Sequence, residues 1–545
     1  MKKTFLLSCL MLAAMPVMAA YTGHVYVDKN KNGVFDQSEK PLAGIKVSDG
    51  LNVVETAADG SFTLPGHERE RFIFITTPSG YKTFNRHYHK IEKKQSGYDF
   101  GLIPYSGRIR KDGSHRYIHI TDTEIFNTEN HADWVNNVRD YARNEQAAFI
   151  IHTGDICYEK GLKAHIKLMN TENMDCPVFY CIGNHDLVKG KYGEELFESI
   201  YGPVYYSFDA GNVHYVVTPM PGGDHAPGYT SDDVCRWLKN DLAHIRPGTP
   251  VVVFNHDLLT YEDTFIFKSK NAGSINLNEY NLKAWVYGHW HINYMKKQGD
   301  VYSVCTSSLD KGGIDHSTTA FRVMHVDSKG DFTSELRYTY LDKNICIASP
   351  AGVMASGVLP VAVNVYSSVS PVREVLYTCL AEGRPVLKNK RLLQSTDWSW
   401  NGELPLSHKY VGKELTLRVT ARFNNGEIAE AESNFICRTE KTVPLFSADW
   451  DNLSGNAKHS APVSAPLNLP LQLAWTNNVG ANLYMTSPLI HKGKVIVASV
   501  DEDLKGAGHV YALNGKDGTI LWSCPVRNSI KNSIAVDSDI VFAQD

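Results

Sequence analysis

The chain has 545 residues, too many for one hydrophobic core, so three or four domains are expected. Its apolar fraction of 43% and charged fraction of 21% are those of an ordinary globular protein. A formal net charge of −4 argues against the basic face that nucleic-acid binding requires.

Met1-Lys2-Lys3 carries positive charge, Phe5 to Val17 is almost entirely apolar, and Val17-Met18-Ala19-Ala20 offers the small residues of a cleavage site. The apolar run is short for a membrane span. Residues 1–20 are therefore predicted to be a signal peptide, the mature chain to lack a transmembrane helix, and the protein to be exported to the periplasm or cell surface. Cys9 falls before the apolar run is complete, too early for a lipoprotein site. The other nine of the ten cysteines have no regular spacing, so they do not form a disulfide framework. A bond among Cys157, Cys176 and Cys181 stays open, with small buried apolar residues as the plainer reading.

Residues 21–104 show short alternating strands, among them 23–27, 44–47, 60–64 and 72–76, which predict a small β-sandwich. Between the first two lies a loop with Asp28, Asn30, Asn32, Val34, Asp36 and Glu39 at positions one, three, five, seven, nine and twelve, and Gly33 at six. That is the spacing of a twelve-residue calcium loop, here flanked by strands. Oxygen-only donors suit a hard cation, so a structural calcium ion is predicted; a solvated Asp/Asn turn is the other reading.

Residues 105–345 change period. Strands at 117–120, 149–152, 178–182, 214–217, 251–254 and 284–287 alternate with helices at 132–146, 162–170 and 234–245, which predicts an α/β domain. Residues 349–441 return to alternating strands, and an immunoglobulin-like sandwich is expected. Residues 442–470, rich in Ser, Ala, Asn and Pro, read as a linker. Residues 471–545 contain Val510-Tyr511-Ala512-Leu513-Asn514-Gly515 and Ile520-Leu521-Trp522, which resemble a blade of a PQQ-type β-propeller. A second blade begins near Ser533, so a partial repeat is expected, without licence for a quinone cofactor.

Five short stretches in the α/β region follow the last apolar residue of a strand. They are Thr121-Asp122-Thr123-Glu124, Thr153-Gly154-Asp155, Gly183-Asn184-His185-Asp186, Asn255-His256-Asp257 and Gly288-His289-Trp290-His291. Strand ends are where α/β sheets place ligands. Asp122, Glu124, Asp155, Asn184, His256, His289 and His291 together offer carboxylate, amide and imidazole donors, which suit Mn, Fe or Zn. Seven donors with Asp155 shared suffice for two divalent ions, which about 3.5–4 Å apart can clamp a phosphoryl group and activate water. Taken singly, His256 reads as a surface or core histidine, Gly154-Asp155 as a turn and Asp122 as a helix cap. Five ordered, strand-terminal motifs do not.

In this order the motifs resemble the calcineurin-like metallophosphoesterase superfamily over about residues 117–306. The resemblance implies two packed β-sheets flanked by helices. It places Asp122 and His291 at one metal, Asp155 as the bridge, and Asn184, His256 and His289 at the other. It makes His185 the catalytic histidine, oriented by Asp186. The family has histidine where this chain has Glu124, which can still ligate or can point away. Tyr158 and Tyr229 are candidate substrate contacts, with Glu159 and the Gly222-Gly223-Asp224-His225 loop as further lining. The expected whole is a multidomain protein with a central α/β metallophosphoesterase domain and all-β accessory domains. It would hydrolyse phosphate mono- or diesters, with metal-bound hydroxide as nucleophile. The rival is a non-catalytic envelope adhesion or scaffold protein carrying a degenerate phosphoesterase domain.

Overall fold

The computed structural model describes residues 20–93, 95, 97–439, 449–460, 473–484 and 486–545. Of the sequence expectations, the signal peptide apart from Ala20 and most of the 442–470 linker lie outside the described residues. The chain is β-rich, with many sheets and few helices. No described helix is long and apolar enough to cross a membrane.

Two sheets build the central region. In the first, strands run in the order Val178–Tyr180, Phe149–His152, His115–Ile120, Ala320–Val326, Phe332–Tyr338, with the first three parallel. In the second, the order is Tyr206–Ala210, Val213–Val217, Val251–Phe254, Leu282–Tyr287, Val301–Cys305, Tyr294–Gln298, with the middle four parallel. Phe149–His152 and Val251–Phe254 are buried at every position, as strands covered on both faces must be.

Aromatic rings from both sheets meet between them. Tyr117 stacks on Phe149 at 4.8 Å, Phe149 meets Tyr215 edge-on at 5.0 Å, and Tyr215 stacks on Phe254 at 5.7 Å. These contacts lock the two sheets face to face through one cluster. Helices Ala132–Asn144 and Tyr158–Leu168 cover the outer face of the first sheet, burying Trp134, Val138, Tyr141 and Leu162 against Ile118 and Ile150. Helix Ser231–Ala243 lays Trp237 and Leu238 into the shared cluster. Its N-terminus is fixed by Thr230, which accepts from Asp233 N while Asp233 accepts from Thr230 N.

Register decides where the motifs go. Ile120 pairs with His152 and His152 with Tyr180, so the three parallel strands of the first sheet end in line. Phe254 pairs with Val286 in the second. All five motifs therefore leave at one edge, at the carboxyl ends of parallel strands.

The helix expected over 234–245 runs Ser231–Ala243, the one over 132–146 runs Ala132–Asn144, and two further differences bear on the site. The helix expected over 162–170 runs Tyr158–Leu168. Its start is disguised by Gly161, which sequence reads as a breaker; here a Cβ would lie 2.4 Å from Ile125 O, so close packing requires glycine. The strand expected over 178–182 pairs only to Tyr180. Cys181 and Ile182 already belong to the turn that carries the motif, and both are fully buried. The nine cysteines of the described residues are all free, and Cys157, Cys176 and Cys181 are buried.

The N-terminal strands form two sheets around Val25, Phe62, Ile73 and Phe100. The unit is not closed on itself, because Phe72, Phe74 and Tyr88 belong to the central cluster. Strands of residues 344–438 form two further sheets around one core, with Val363, Tyr377, Leu417 and Val419 inside. Leu489–His491, Lys494–Ala498, His509–Asn514 and Ile520–Pro525 make a four-stranded antiparallel meander in chain order. The hairpin Ala535–Asp537 with Ile540–Phe542 follows it.

Candidate active site

Asp155 is the centre of the site. Its carboxylate, His256 and His289 present ligand atoms all within 4.8 Å of one another, and so do Asp122, Asp155 and His291. The two groups share only Asp155, so the residues converge as two adjoining donor sets. Glu124 and Cys157 also meet Asp155 within that distance. The Cys157 thiol is a poor donor, because burial, and then the Asp186 carboxylate, push its pKa far above the ordinary value.

The backbone at the site is held in an unusual region. Asp122, Glu124, Asp155, Cys157, Tyr158, His289 and His291 all have φ between 44° and 74°. Non-glycine residues take this left-handed region at a cost of roughly 1–3 kcal/mol each. Such clustering marks a place where side-chain direction outranks local comfort. The motif glycines show why. A Cβ on Gly183 would lie 2.2 Å from Asp155 Oδ1, one on Gly154 2.7 Å from His256 Nδ1, and one on Gly288 1.9 Å from Thr121 Oγ1. The loops approach so closely that only glycine fits between them.

Hydrogen bonds orient the donors. His256 Nδ1 lies 2.7 Å from Thr153 O and takes the ring proton there, which leaves Nε2 as an acceptor. Nε2 is buried, 3.1 Å from Asp155 Oδ2, yet makes no well-formed hydrogen bond. Asn184 Oδ1 is likewise buried without a hydrogen-bond partner among the described residues. Two orphaned buried acceptors beside a carboxylate are costly unless a cation sits among them. His291 Nε2 lies 3.4 Å from Asp122 Oδ1, and Asp122 also accepts from Thr121 Oγ1 and His289 N. Burial opposes charge on His256, but Asp155 and Asp122 override it and hold the imidazole up at about 9, so a proton on Nε2 is the alternative to a metal ion at that atom. Asp155 is itself held below the usual carboxylate range: burial pushes it up, and His256 outweighs that. This mutual stabilisation is that of a site short of positive charge, and the donor set fits divalent metal ions.

Glu124 stands where the motif order calls for histidine. Its Oε1 is 3.7 Å from His291 Nε2, and its Oε2 is 3.0 Å from Lys311 Nζ. One oxygen faces the donors and the other is tied to a lysine.

His185 and Asp186 part company. The expectation that Asp186 orients His185 does not hold. Asp186 is fully buried and accepts from Cys157 N at 2.8 Å and Gly183 N at 2.9 Å, so it builds the turn. Burial, then Asp155, raises its pKa to about 7. His185 Nδ1 instead meets Asp224 Oδ2 at 2.8 Å. Burial opposes charge on His185, but this bond and the nearby carboxylates raise its pKa. The sequence signal for Asp224 was the Gly222-Gly223 pair before it: a Cβ on Gly223 would lie 2.4 Å from Asn184 O, so the loop packs onto the motif turn.

Of the two tyrosines, Tyr158 is exposed and its ring is 5.3 Å from that of His185. Tyr229 is in the helix-side core with its hydroxyl donating to Met220 O, so it does not line the site. Phe126, which the sequence reading passed over, is exposed and stacks on Tyr158 at 6.3 Å.

A second group, Asp49, His67 and Glu70, also meets within 4.8 Å. Its donors are spent. Asp49 accepts from Leu51 N, Asn52 N and Asn52 Nδ2, His67 Nε2 bonds Asp49 O, and Glu70 accepts from Tyr21 Oη and His67 N.

Donors of this kind at the strand ends of two packed sheets define a metal-dependent hydrolase domain. Residues 115–293 match the family model for calcineurin-like phosphoesterase, and residues 29–104 match the model for the N terminal of calcineurin-like phosphoesterase. The chain thus carries a calcineurin-like phosphoesterase domain with its N-terminal extension, and the domain is of the phosphoric ester hydrolase class. Over 215 residues the chain is 26% identical to purple acid phosphatase 13 of Arabidopsis thaliana, covering 37% of this chain and 36% of that protein. The chain therefore spans only about a third of the length of this curated relative. Among solved structures, a conserved uncharacterized protein from Streptococcus pneumoniae TIGR4, described as a predicted phosphoesterase, aligns at 12% identity and a TM-score of 0.22. That alignment covers 41% of this chain and 90% of that one. CopC from Methylosinus trichosporium OB3b aligns at 12% identity and a TM-score of 0.15, covering 18% of this chain and all of that one.

Proposed function

We propose that the protein is an exported phosphoesterase that hydrolyses phosphate mono- or diesters at a dinuclear metal centre. The observation that carries this reading is the sharing of Asp155 by two adjoining donor groups, beside the orphaned Asn184 Oδ1 and His256 Nε2. Asp122, His291 and Glu124 would hold one divalent ion, and Asn184, His256 and His289 the other, with Asp155 between. When bound, the ions supply Lewis-acid charge to the phosphoryl oxygens and lower the pKa of water. The chain's own work is orientation and proton transfer. Asp224 anchors His185 at Nδ1, so Nε2 is the atom that gives a proton to the leaving oxygen.

The test is hydrolysis of para-nitrophenyl phosphate and bis-para-nitrophenyl phosphate, with Mn added and with chelator. Metal-dependent turnover is expected, and His185→Ala should lower kcat by roughly 10²–10⁴-fold with two metals still bound. Metal-loaded protein inert to both esters would favour the scaffold reading.

The accessory units are assigned from their strand patterns. The N-terminal unit is read as a β-sandwich, residues 349–441 as an immunoglobulin-like sandwich, and the final meander as a partial PQQ-like repeat. A structural calcium ion is assigned to the Asp28 loop. There Asp28 accepts from Asn32 N and Gly33 N, Asp36 from the Asn30 and Asn32 amides, and Glu39 from Lys29 N and Asp36 N. Calcium should raise Tm and Asp28→Ala should abolish the rise; no calcium-dependent shift would remove the ion.

A further inference from the structure

We propose that the substrate's leaving group carries a planar unsaturated ring, which stacks on Phe126 and Tyr158. The inference rests on the phosphoesterase reading and names the substrate class of that site. Both residues grow from the donor motifs: Phe126 lies two residues after Glu124, and Tyr158 three after Asp155. Their rings are near-parallel, 15° apart, with centroids at 6.3 Å, and the Tyr158 ring lies 5.3 Å from that of His185. Phe126 is 58% exposed and Tyr158 43%.

Position makes the pair specific. His185 serves the leaving oxygen, so whatever is attached to that oxygen departs on the side of His185. That side is the one bordered by Tyr158 and, beyond it, Phe126. Phe126 is covered for less than half of its surface, yet its ring is held stacked on Tyr158, which borders the reacting group. Ring faces accept flat π-systems without regard to hydrogen-bonding pattern. Tyr158 is kept in place by the backbone, with φ of 51° at the first turn of its helix. A nucleobase and an aryl group share the required chemistry; an aliphatic polyol phosphate lacks it.

The experiment compares adenosine 5′-monophosphate with ribose 5-phosphate, which presents the same leaving oxygen without the base. The wild-type enzyme, loaded with Mn, should favour the nucleotide in kcat/KM by about tenfold or more, the scale of one base–aromatic stack. Phe126→Ala and Tyr158→Ala should collapse that ratio, and Phe126→Tyr should restore it. In parallel, calorimetry on the Mn-loaded His185→Ala variant should give tighter binding of the nucleotide than of ribose 5-phosphate. Para-nitrophenyl phosphate separates the sources: a parallel loss in Phe126→Ala assigns any flat ring, and a loss confined to the nucleotide assigns a nucleoside. A ratio near one in the wild type, or one unmoved by both alanine variants, would overturn the inference while leaving hydrolysis intact. Absence of all ester hydrolysis by metal-loaded protein would instead overturn the phosphoesterase reading.

Discussion

Glu124 and Lys311 are best understood as one unit. A carboxylate in place of an imidazole adds a negative charge to a site that already holds Asp122 and Asp155. Lys311 Nζ, 3.0 Å from Glu124 Oε2, returns the balance and fixes which oxygen faces His291. If so, the two positions are energetically coupled. Glu124→His alone would leave Lys311 facing an imidazole, and Lys311→Met alone would leave excess negative charge. Glu124→His should weaken Mn binding, because the unpaired lysine repels the ion, and adding Lys311→Met should restore much of it, with a coupling of about 0.5–3 kcal/mol in a titration of metal content. Strictly additive effects would show that Lys311 is a bystander. The same scale of argument applies to Asp224. Asp224→Asn keeps the shape but weakens the hold on His185, so kcat should fall while metal content stays at the wild-type level. Asp186→Asn should behave differently, loosening the turn through Cys157 N and Gly183 N and costing stability first. Sequence alone could not separate the two aspartates, because the family resemblance gave the orienting role to Asp186 and only the fold brings residue 224 to residue 185.

The elements themselves were far more legible than their partners. Val251–Phe254 and Phe149–His152 stand where their apolar runs place them, since an uninterrupted β-branched or aromatic stretch bounded by turn residues has little alternative. The strand-end position of every motif could likewise be read directly. Illegible were features that depend on approach between distant loops: the helix start at Tyr158, hidden by Gly161, and the burial of Tyr229, which looks like a loop tyrosine. Close approach also yields a sharp prediction. At Gly183 an added methyl would lie 2.2 Å from Asp155 Oδ1, the tip of a short buried side chain, and 2.3 Å from Asp155 N, which is backbone. Gly183→Ala must therefore displace Asp155, the shared donor. The variant should fold, with a loss of about 1–3 kcal/mol from overpacking, yet bind little metal. Retention of both metals with normal stability would mean that the turn can shift, and that Asp155 is less tightly placed than its neighbours imply.

At the scale of the whole molecule, the accessory units are wired into the catalytic region by buried charge. Arg71 of the N-terminal unit pairs with Glu194 at 2.8 Å and Glu198 at 3.0 Å, and both carboxylates are almost fully buried. Burial, and then the Glu194 carboxylate, lift Glu198, whose pKa stands at about 7 even with Arg71 beside it. On the other side, Arg322 sits in the first central sheet with no exposure and pairs with Asp503 of the final meander. Arg322 Nε also donates to Thr306 Oγ1, which bonds His119, which in turn bonds Thr153 Oγ1; the Thr153 carbonyl is the group that sets the His256 tautomer. A continuous polar chain thus runs from the last sheet to a metal donor. Nearby, Lys531 reaches Asn293 O, Asp315 and Glu502, and Ile314 N next to Asp315 donates to His291 O. The final sheet is therefore a support for two of the ligand loops rather than a free appendage. Removing one member of a buried pair leaves the other charge uncompensated, at a cost of roughly 3–5 kcal/mol. Asp503→Ala should show that loss in chemical denaturation and should also reduce metal content, because Arg322 no longer holds Thr306. The exposed pair Lys343–Glu427, at 3.4 Å, supplies the contrast: Lys343→Ala should change stability by less than about 1 kcal/mol and leave the metals in place. If Asp503→Ala lost stability but kept full metal occupancy, the terminal sheet would be holding the fold together without steering the site.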